Sequence, residues 1–280
     1  MKVYYLEGRG GCWIYHFIVY NLGGLYNIIN KINPRNKDST KLLGFNNIYY
    51  DDDDDIQYPI PIIIDGLTNG RGELNEWQID ICKYLNTKIK LIKLDELKPN
   101  DKIISIYGTT LNQNIACDNP QIYFPFLRNL LLENIDNDNI EQYKGKRFFL
   151  TRKYTRQFHN GTLKKYILNE DDLMIVLEKY NFEYIILENL NIQNKIKLFN
   201  NADVILSSNI GGFVFSLVAN NNTKIIEIVN KSDGILPIHY KLICDTLGIS
   251  YYRYSNIYED HYGNFNINTN DFEKYIHSIL

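Results

Sequence analysis

The chain is poor in the features that mark several large classes of protein. Its four cysteines are widely spaced and form no Cys-x-x-Cys pair, which argues against a zinc knuckle or a redox pair and suits a reducing compartment. It has no run of about 18 apolar residues, and no charged segment with an apolar stretch behind it opens the chain. We therefore expect a soluble, cytoplasmic protein without an integral membrane segment.

An excess of charge of one sign is also missing. The formal net charge is −3, which gives no reason to expect nucleic acid as a partner, so any anion site must be local. Hydrophobic residues make up 45% of the 280 residues, enough for a large core. At this length a chain begins to divide into two domains.

What the chain does have is a regular alternation of strand-like and helix-like segments. Strands are expected at 2–6, 47–50, 59–64, 89–92, 102–107, 146–150, 183–187, 204–206, 224–229 and 250–254. Helices are expected at 13–31, 73–85, 126–135, 169–180, 192–200, 213–219, 238–247 and 271–280. Asn169 is the expected cap of the helix at 169–180.

This alternation predicts an α/β fold with parallel sheets and helices on both faces. A segment with two prolines, 116–125, suggests a crossing between two domains, 1–120 and 121–265, with a cleft between them. The closing helix, within 266–280, is expected to pack back on the first domain.

The most informative stretch is a βαβ unit between Ala202 and Val229. Its first strand leads into a loop of small residues that includes Ser208, Asn209, Gly211 and Gly212. The glycines let a ligand approach the backbone, and the N–H groups of the next helix would face the same spot, which favours a phosphate. Ligands of open α/β sheets bind at this edge. Loop packing without a ligand is the alternative.

Charged residues mark two further places in the second half of the chain. Arg152, Lys153 and Arg156 follow the strand that ends at Leu150, and arginine side chains match phosphate oxygens bidentately. A solvated loop would also explain these cations. Glu227 stands inside the apolar run 225–229, where a carboxylate needs a partner. Ribose hydroxyls and a structural ion pair are the two alternatives for that partner.

Two candidates lie in the first half. His16 begins an aromatic-rich helix after a strand and a glycine loop, where an imidazole can serve as a general base. A histidine packed among aromatic rings is the alternative. Five aspartates at 51–55 follow an apolar segment and could hold a divalent metal through hard oxygen ligands. Five consecutive acids more often form a repelling, solvated loop.

Taken together, these segments resemble glycosyltransferase family 61, a group of nucleotide-sugar-dependent enzymes. Phe-Leu-Thr-Arg-Lys at 149–153 looks like the family's strand that ends in a Ser-Arg-Arg type element. Ile-Leu-Asn-Glu-Asp-Asp-Leu at 167–173 looks like its Asn-Glu helix start. Leu-Phe-Asn-Asn-Ala-Asp-Val-Ile at 198–205 looks like its run into the glycine loop, and Thr-Lys-Ile-Ile-Glu-Ile at 223–228 like its Gly-Thr-x-Val-Ile-Glu strand. Trp-Ile-Tyr-His-Phe at 13–17 looks like its N-terminal aromatic-His helix.

The resemblance implies two Rossmann-like domains of the GT-B type with the site in the cleft. It implies inverting sugar transfer from a nucleotide-sugar co-substrate, a UDP-sugar, without a metal or another cofactor, to a glycan, protein or lipid-linked acceptor. By the same resemblance, Arg152, with Lys153 and Arg156 beside it, would contact the diphosphate, and the loop with Ser208, Asn209, Gly211 and Gly212 would cradle it. Glu227 would hold the ribose, and His16 would be the catalytic base.

The chain departs from the family pattern in the glycine loop. Where the family usually has His-Gly-Ala-Gly, this chain has Asn209, Ile210, Gly211 and Gly212. An asparagine can donate a hydrogen bond to an oxyanion but cannot transfer a proton near neutral pH. Three alternatives stay open: an inactive nucleotide-sugar or glycan-binding protein, a metal-dependent transferase that uses the aspartates at 51–55, and a structural protein with a degenerate cleft.

Overall fold

The computed structural model describes residues 2–7, 14–30, 56–64, 75–92, 94–107, 119–136, 138–152, 158–159, 162–163, 166–208, 210–229, 239–260 and 264–280. Lys153, Arg156, Asn209, the aspartates at 51–55 and the strand expected at 47–50 lie outside these ranges. The chain forms two compact units, Met1–Asn134 and Ile135–Leu280. The domain limits expected at 120 and 265 stay predictions.

The first unit is built on a parallel sheet. Its strands are β1 (Lys2–Glu7), β2 (Ile60–Ile64), β3 (Ile89–Leu91) and β4 (Lys102–Tyr107). They lie in the order β3-β2-β1-β4, and Tyr4 of β1 stands opposite Ile62 on one side and Ile104 on the other. Val3, Leu6 and Ile62 are fully buried, as expected of a parallel sheet that is covered on both faces.

The helix after β1 is interrupted. A short α1 (Ile14–His16) continues into a π-helical segment, Phe17–Asn21, and the chain then turns into α2 (Gly24–Ile29). A Cβ atom on Gly23 would lie 2.3 Å from the Val19 carbonyl oxygen, so the turn needs glycine. The single helix expected at 13–31 is therefore wrong, because a π-helical turn and this glycine divide it.

Two longer helices complete the first unit, α3 (Glu76–Tyr84) and α4 (Pro120–Leu132). The Tyr123 hydroxyl of α4 donates to the Asn27 side chain at 3.0 Å, and the Tyr84 hydroxyl of α3 donates to the Leu131 carbonyl at 2.8 Å. These bonds fix α4 within the first unit, although the sequence suggested that a helix in this region opens the second.

The second unit also has a parallel sheet. Its strands are β5 (Arg147–Leu150), β8 (Phe182–Ile185), β9 (Val204–Ser208), β10 (Lys224–Ile228) and β11 (Ser250–Tyr254). They lie in the order β11-β10-β9-β5-β8. Two short antiparallel pairs accompany this sheet, β6 (Phe158–His159) with β7 (Thr162–Leu163), and β12 (Ile257–Glu259) with β13 (Phe265–Ile267).

Helices cover both faces of this sheet. They are α5 (Glu170–Glu178), α6 (Ile192–Asn201), α7 (His239–Leu247), α8 (Thr269–Ile279) and a buried 3₁₀ helix, Gly211–Val218. Leu173 and Leu177 of α5 join Phe272 and Ile276 of α8 in one core cluster with β9 and β10. The last helix thus packs on the second unit, and its expected contact with the first stays a prediction.

The structure confirms the α/β class with parallel sheets. Strand β11 agrees residue for residue with the expected 250–254, and β10 and α6 differ by one residue at an end. The helix expected at 213–219 is a 3₁₀ helix instead. The described helices include none that is both long enough and apolar enough to span a bilayer.

Candidate functional site

The strand order of the second unit creates a topological switch point between β5 and β9. Numbered along the chain within the main sheet, the order is 2-1-3-4-5, so the connections leave β5 and β9 toward opposite edges. Ligands of open α/β sheets bind outside the carboxyl ends of the strands at such a point. Two strands flank this switch point. Strand β5 ends at Leu150, two residues before the candidate residue Arg152, and β9 ends at the candidate residue Ser208.

Arg152 follows a buried, hydrogen-bonded threonine and lies near a tyrosine ring. The preceding residue, Thr151, is buried, its N–H donates to the Ile185 carbonyl at 3.0 Å, and its hydroxyl donates to the Glu170 carboxylate. The Arg152 guanidinium itself lies 5.9 Å from the centre of the Tyr166 ring, within the range of a cation–π contact. A half-buried guanidinium near the end of β5 has the chemistry to bind an anion.

The Asn169 side chain, just before α5, binds the β12–β13 hairpin and makes no helix-cap bond. Asn169 was expected to cap α5, but its side chain makes no cap bond. Its amide donates to the Ile267 carbonyl at 2.9 Å, and its carbonyl oxygen accepts from the Ile267 N–H at 3.0 Å. The Leu168 N–H donates to the Phe265 carbonyl at 2.8 Å. Asn169 thus occupies the N-cap position as expected, but the tertiary contact with β13 takes both polar atoms of its side chain, so no side-chain cap bond forms.

Two buried serines end β9, just before the small-residue loop. Ser207 and Ser208 are both buried, and the Ser207 hydroxyl donates to the Leu150 carbonyl at 2.7 Å, which ties the ends of β9 and β5 together. The 3₁₀ helix then begins at Gly211, which is exposed. A Cβ atom on Gly212 would lie 2.2 Å from the Leu187 side chain, so packing accounts for this glycine at least in part.

Glu227 is fully buried on β10, in register with Ser207 of β9 and Arg253 of β11. Burial raises its pKa from 4.5 to about 7, against opposing contributions from the Tyr251 hydrogen bond and the Arg253 charge. Its Oε2 accepts a hydrogen bond from the Tyr251 hydroxyl, and the Arg253 Nε lies 3.9 Å from the same oxygen. Its Oε1 is buried and has no hydrogen-bond partner among the residues that the structure describes. A buried carboxyl oxygen in that state can accept a hydrogen bond from a further group.

Tyr240 of α7 lies within electrostatic range of both this carboxylate and Arg152. The Tyr240 ring is buried and packs on Phe213 of the 3₁₀ helix, with ring centres 5.5 Å apart. Burial and the charge of Glu227 raise the pKa of the Tyr240 hydroxyl, while Arg152 lowers it. Both charges therefore act on the same phenol, and the structure gathers Arg152, Glu227 and the start of the 3₁₀ helix at one end of the sheet.

His16 lies in the first unit, on the helix that follows β1. The order of that sheet places a second switch point between β1 and β4, so α1 begins beside an edge where ligands bind. The half-buried His16 ring contacts the rings of Tyr15 and Tyr20 edge-on, with centres 5.9 and 5.1 Å away. The two interpretations of His16, as a packed residue and as a functional one, are thus compatible, because the tyrosines fix its ring without burying it.

Sequence reasoning missed several residues of the second unit's site, namely Tyr166, Glu170, Tyr240, Tyr251 and Arg253. The signal for Tyr251 and Arg253 was available, since they alternate on a strand next to that of Glu227. Among the described residues, no group of three or more His, Cys, Asp or Glu side chains is arranged to hold a metal ion.

Comparison with known proteins gives one family match. Residues 80–226, slightly more than half of the chain, match the family model described as Glycosyltransferase 61. The matched range begins in α3 and ends in β10, so it contains Arg152, Ser208, Gly211 and Gly212, while His16 precedes it and Glu227 follows its last residue. A search of curated protein sequences gives no match.

Proposed function

The chain belongs to glycosyltransferase family 61, and from that premise we propose that it transfers a sugar from a nucleotide-sugar donor, a UDP-sugar, to a glycan, protein or lipid-linked acceptor. The observation that supports this proposal most directly is the grouping of Arg152, the 3₁₀ helix start and the buried Glu227 at the switch point of the second sheet. A cation, free N–H groups and a carboxylate are the groups that a nucleoside diphosphate needs.

In the proposed reaction the sugar is transferred with inversion. The acceptor hydroxyl oxygen forms a bond to the anomeric carbon while the bond from that carbon to the phosphate oxygen breaks. His16 takes the acceptor proton as general base, and the nucleoside diphosphate leaves with the bonding electron pair. In a GT-B arrangement, which we also propose, the acceptor lies on the first unit and the donor on the second.

We propose that the protein meets the charge of the leaving diphosphate without a metal or other cofactor. Arg152 supplies a fixed guanidinium, with Lys153 and Arg156 following it in the chain. The N–H groups of Gly211 and Gly212, with Ser208 and Asn209 beside them, form the cradle. One pre-organised donor of this kind contributes about 3 kcal/mol to a barrier. Glu227 Oε1 accepts from the ribose.

Replacing Arg152 tests the proposal. Arg152→Lys keeps the charge but not the planar fork, and Arg152→Ala removes both, so UDP affinity should fall in both variants and further in the alanine variant. Each would be measured by isothermal titration calorimetry, together with the release of UDP from UDP-sugars. Lys144→Ala removes one exposed cation from the same unit and is the matched control. Wild-type affinity and turnover in Arg152→Ala would exclude Arg152 from the site.

A second candidate function is a nucleotide-sugar or glycan-binding protein without turnover. The sequence observation that favours it is Asn209 in place of the family's histidine. Such a protein would bind UDP with Arg152 and Glu227 as proposed but would release no UDP from any UDP-sugar. If the missing loop histidine is the cause, Asn209→His should gain turnover. If turnover is absent for another reason, this variant should stay inactive.

A further inference from the structure

The two carboxylate oxygens of Glu227 are in different situations. Oε2 accepts from the Tyr251 hydroxyl, and the Arg253 Nε donates in turn to that hydroxyl oxygen at 2.9 Å. Within the described part of the chain, the buried Oε1 has no hydrogen-bond partner. The two oxygens of a free carboxylate are equivalent, so this difference is imposed by the surroundings.

The difference arises from the register of two neighbouring strands. Arg253 of β11 stands directly opposite Glu227 of β10, and Tyr251 lies two residues before Arg253, on the same face of the sheet. The Arg253 guanidinium also lies 5.6 Å from the centre of the Tyr251 ring. The three side chains form a chain of donors, from Arg253 to Tyr251 to Glu227, in which each bond polarises the next. Rotation of the carboxylate would break this chain.

A carboxylate can bind the two adjacent hydroxyls of a ribose with both oxygens, or one hydroxyl with a single oxygen. We propose that Tyr251 and Arg253 are positioning residues that reserve Oε2, so that Oε1 alone accepts a single hydroxyl of the donor ribose. This inference rests on the proposed function, because it specifies how Glu227 binds the nucleotide. It makes Tyr251 and Arg253 determinants of which hydroxyl the protein requires.

The test compares UDP with 2′-deoxy-UDP and 3′-deoxy-UDP by isothermal titration calorimetry on the full chain. One of the two analogues should bind roughly 10- to 100-fold more weakly than UDP, as expected for a lost hydrogen bond to a charged group, and the other within about 3-fold of it. Equal weakening of both analogues would overturn the inference, since it would mean that both hydroxyls are bound.

Tyr251→Phe tests the positioning role. It keeps the ring but frees Oε2, so the carboxylate can turn and the difference between the two analogues should shrink to within about 3-fold. Tyr252→Phe removes a hydroxyl from the opposite face of the same strand and should preserve the wild-type difference. If Tyr251→Phe does not fold, Arg253→Gln removes the other end of the donor chain.

The outcomes separate this inference from the function on which it rests. A wild-type difference between analogues that survives both Tyr251→Phe and Arg253→Gln would overturn the positioning role and leave the nucleotide site in place. A wild-type protein that binds no nucleoside diphosphate would overturn the proposed function and the inference with it.

Discussion

A carboxylate as deeply buried as Glu227 destabilises a fold unless its surroundings or a ligand compensate for the lost hydration. The sequence marks this residue, because it interrupts a run of isoleucines, but leaves a ribose and an ion pair as equal alternatives. In the structure, Arg253 lies 3.9 Å from one oxygen and also reaches it by hydrogen bonds through Tyr251. The other oxygen has no partner among the described residues. Sequence alone could not show that the two oxygens have different surroundings, because this depends on the register of β10 with β11.

The raised pKa of Glu227 predicts how the stability of the ligand-free protein depends on pH. A carboxyl whose pKa is about 7 in the folded protein and 4.5 when exposed binds more protons in the folded state between these values. Its contribution to the free energy of unfolding is therefore fully present below pH 4.5 and is lost as pH rises through 7. The full shift corresponds to about 3 kcal/mol.

Glu227→Gln does not titrate, so the difference in unfolding free energy between wild type and this variant should fall from pH 4.5 to pH 8. Urea unfolding at several pH values measures it. Glu141→Gln, which alters an exposed carboxylate, is the control against which that slope is compared. A wild-type protein whose difference from Glu227→Gln rises with pH would show that the buried carboxyl is ionised more readily than an exposed one.

At the scale of elements, the hydrophobic runs predicted the parallel strands well because a strand covered on both faces has few other ways to bury its side chains. The hairpin of β12 and β13 was missed, since its strands are three residues long and contain Asn266 and the exposed Tyr258. The 3₁₀ form of Gly211–Val218 was missed because an apolar run gives the extent of a buried helix and not its hydrogen-bond pattern.

Asn169 is predicted to hold the β12–β13 hairpin on the segment before α5. Asn169→Ala removes both hydrogen bonds to Ile267 and leaves that residue's N–H and carbonyl without the side chain that satisfied them. The variant should lose about 1–3 kcal/mol of unfolding free energy, measured by urea denaturation, and the amide of Ile267 should exchange faster with deuterium.

Asn270→Ala changes an exposed asparagine in the first turn of α8 and is the control for Asn169→Ala. Its unfolding free energy should stay within about 0.5 kcal/mol of wild type. Unchanged exchange at Ile267 in Asn169→Ala would show that the hairpin is held by its other contacts, such as the bond from Leu168 to Phe265.

At the scale of the whole molecule, the candidate residues lie at two parallel sheets, one in each unit. Each sheet has a switch point, one flanked by the helix of His16 and the other by Arg152 and Ser208. The alternation of elements predicted parallel sheets, but their strand orders, 3-2-1-4 and 2-1-3-4-5, are not encoded in any local pattern. The family match over residues 80–226 covers Arg152 and Ser208 but neither His16 nor Glu227.

The most direct test of the proposed donor site is a thermal-shift screen of the full chain against UDP, GDP, CMP and TDP and their sugars, with and without EDTA. A nucleotide at 100 times its dissociation constant stabilises a protein by about 2.7 kcal/mol, which is readily seen as a higher melting temperature. A metal-free donor site on the second unit should give a selective shift with UDP and UDP-sugars that EDTA does not reduce. A melting temperature unchanged by every nucleotide would contradict it, because Arg152 and Glu227 would then not form a donor site.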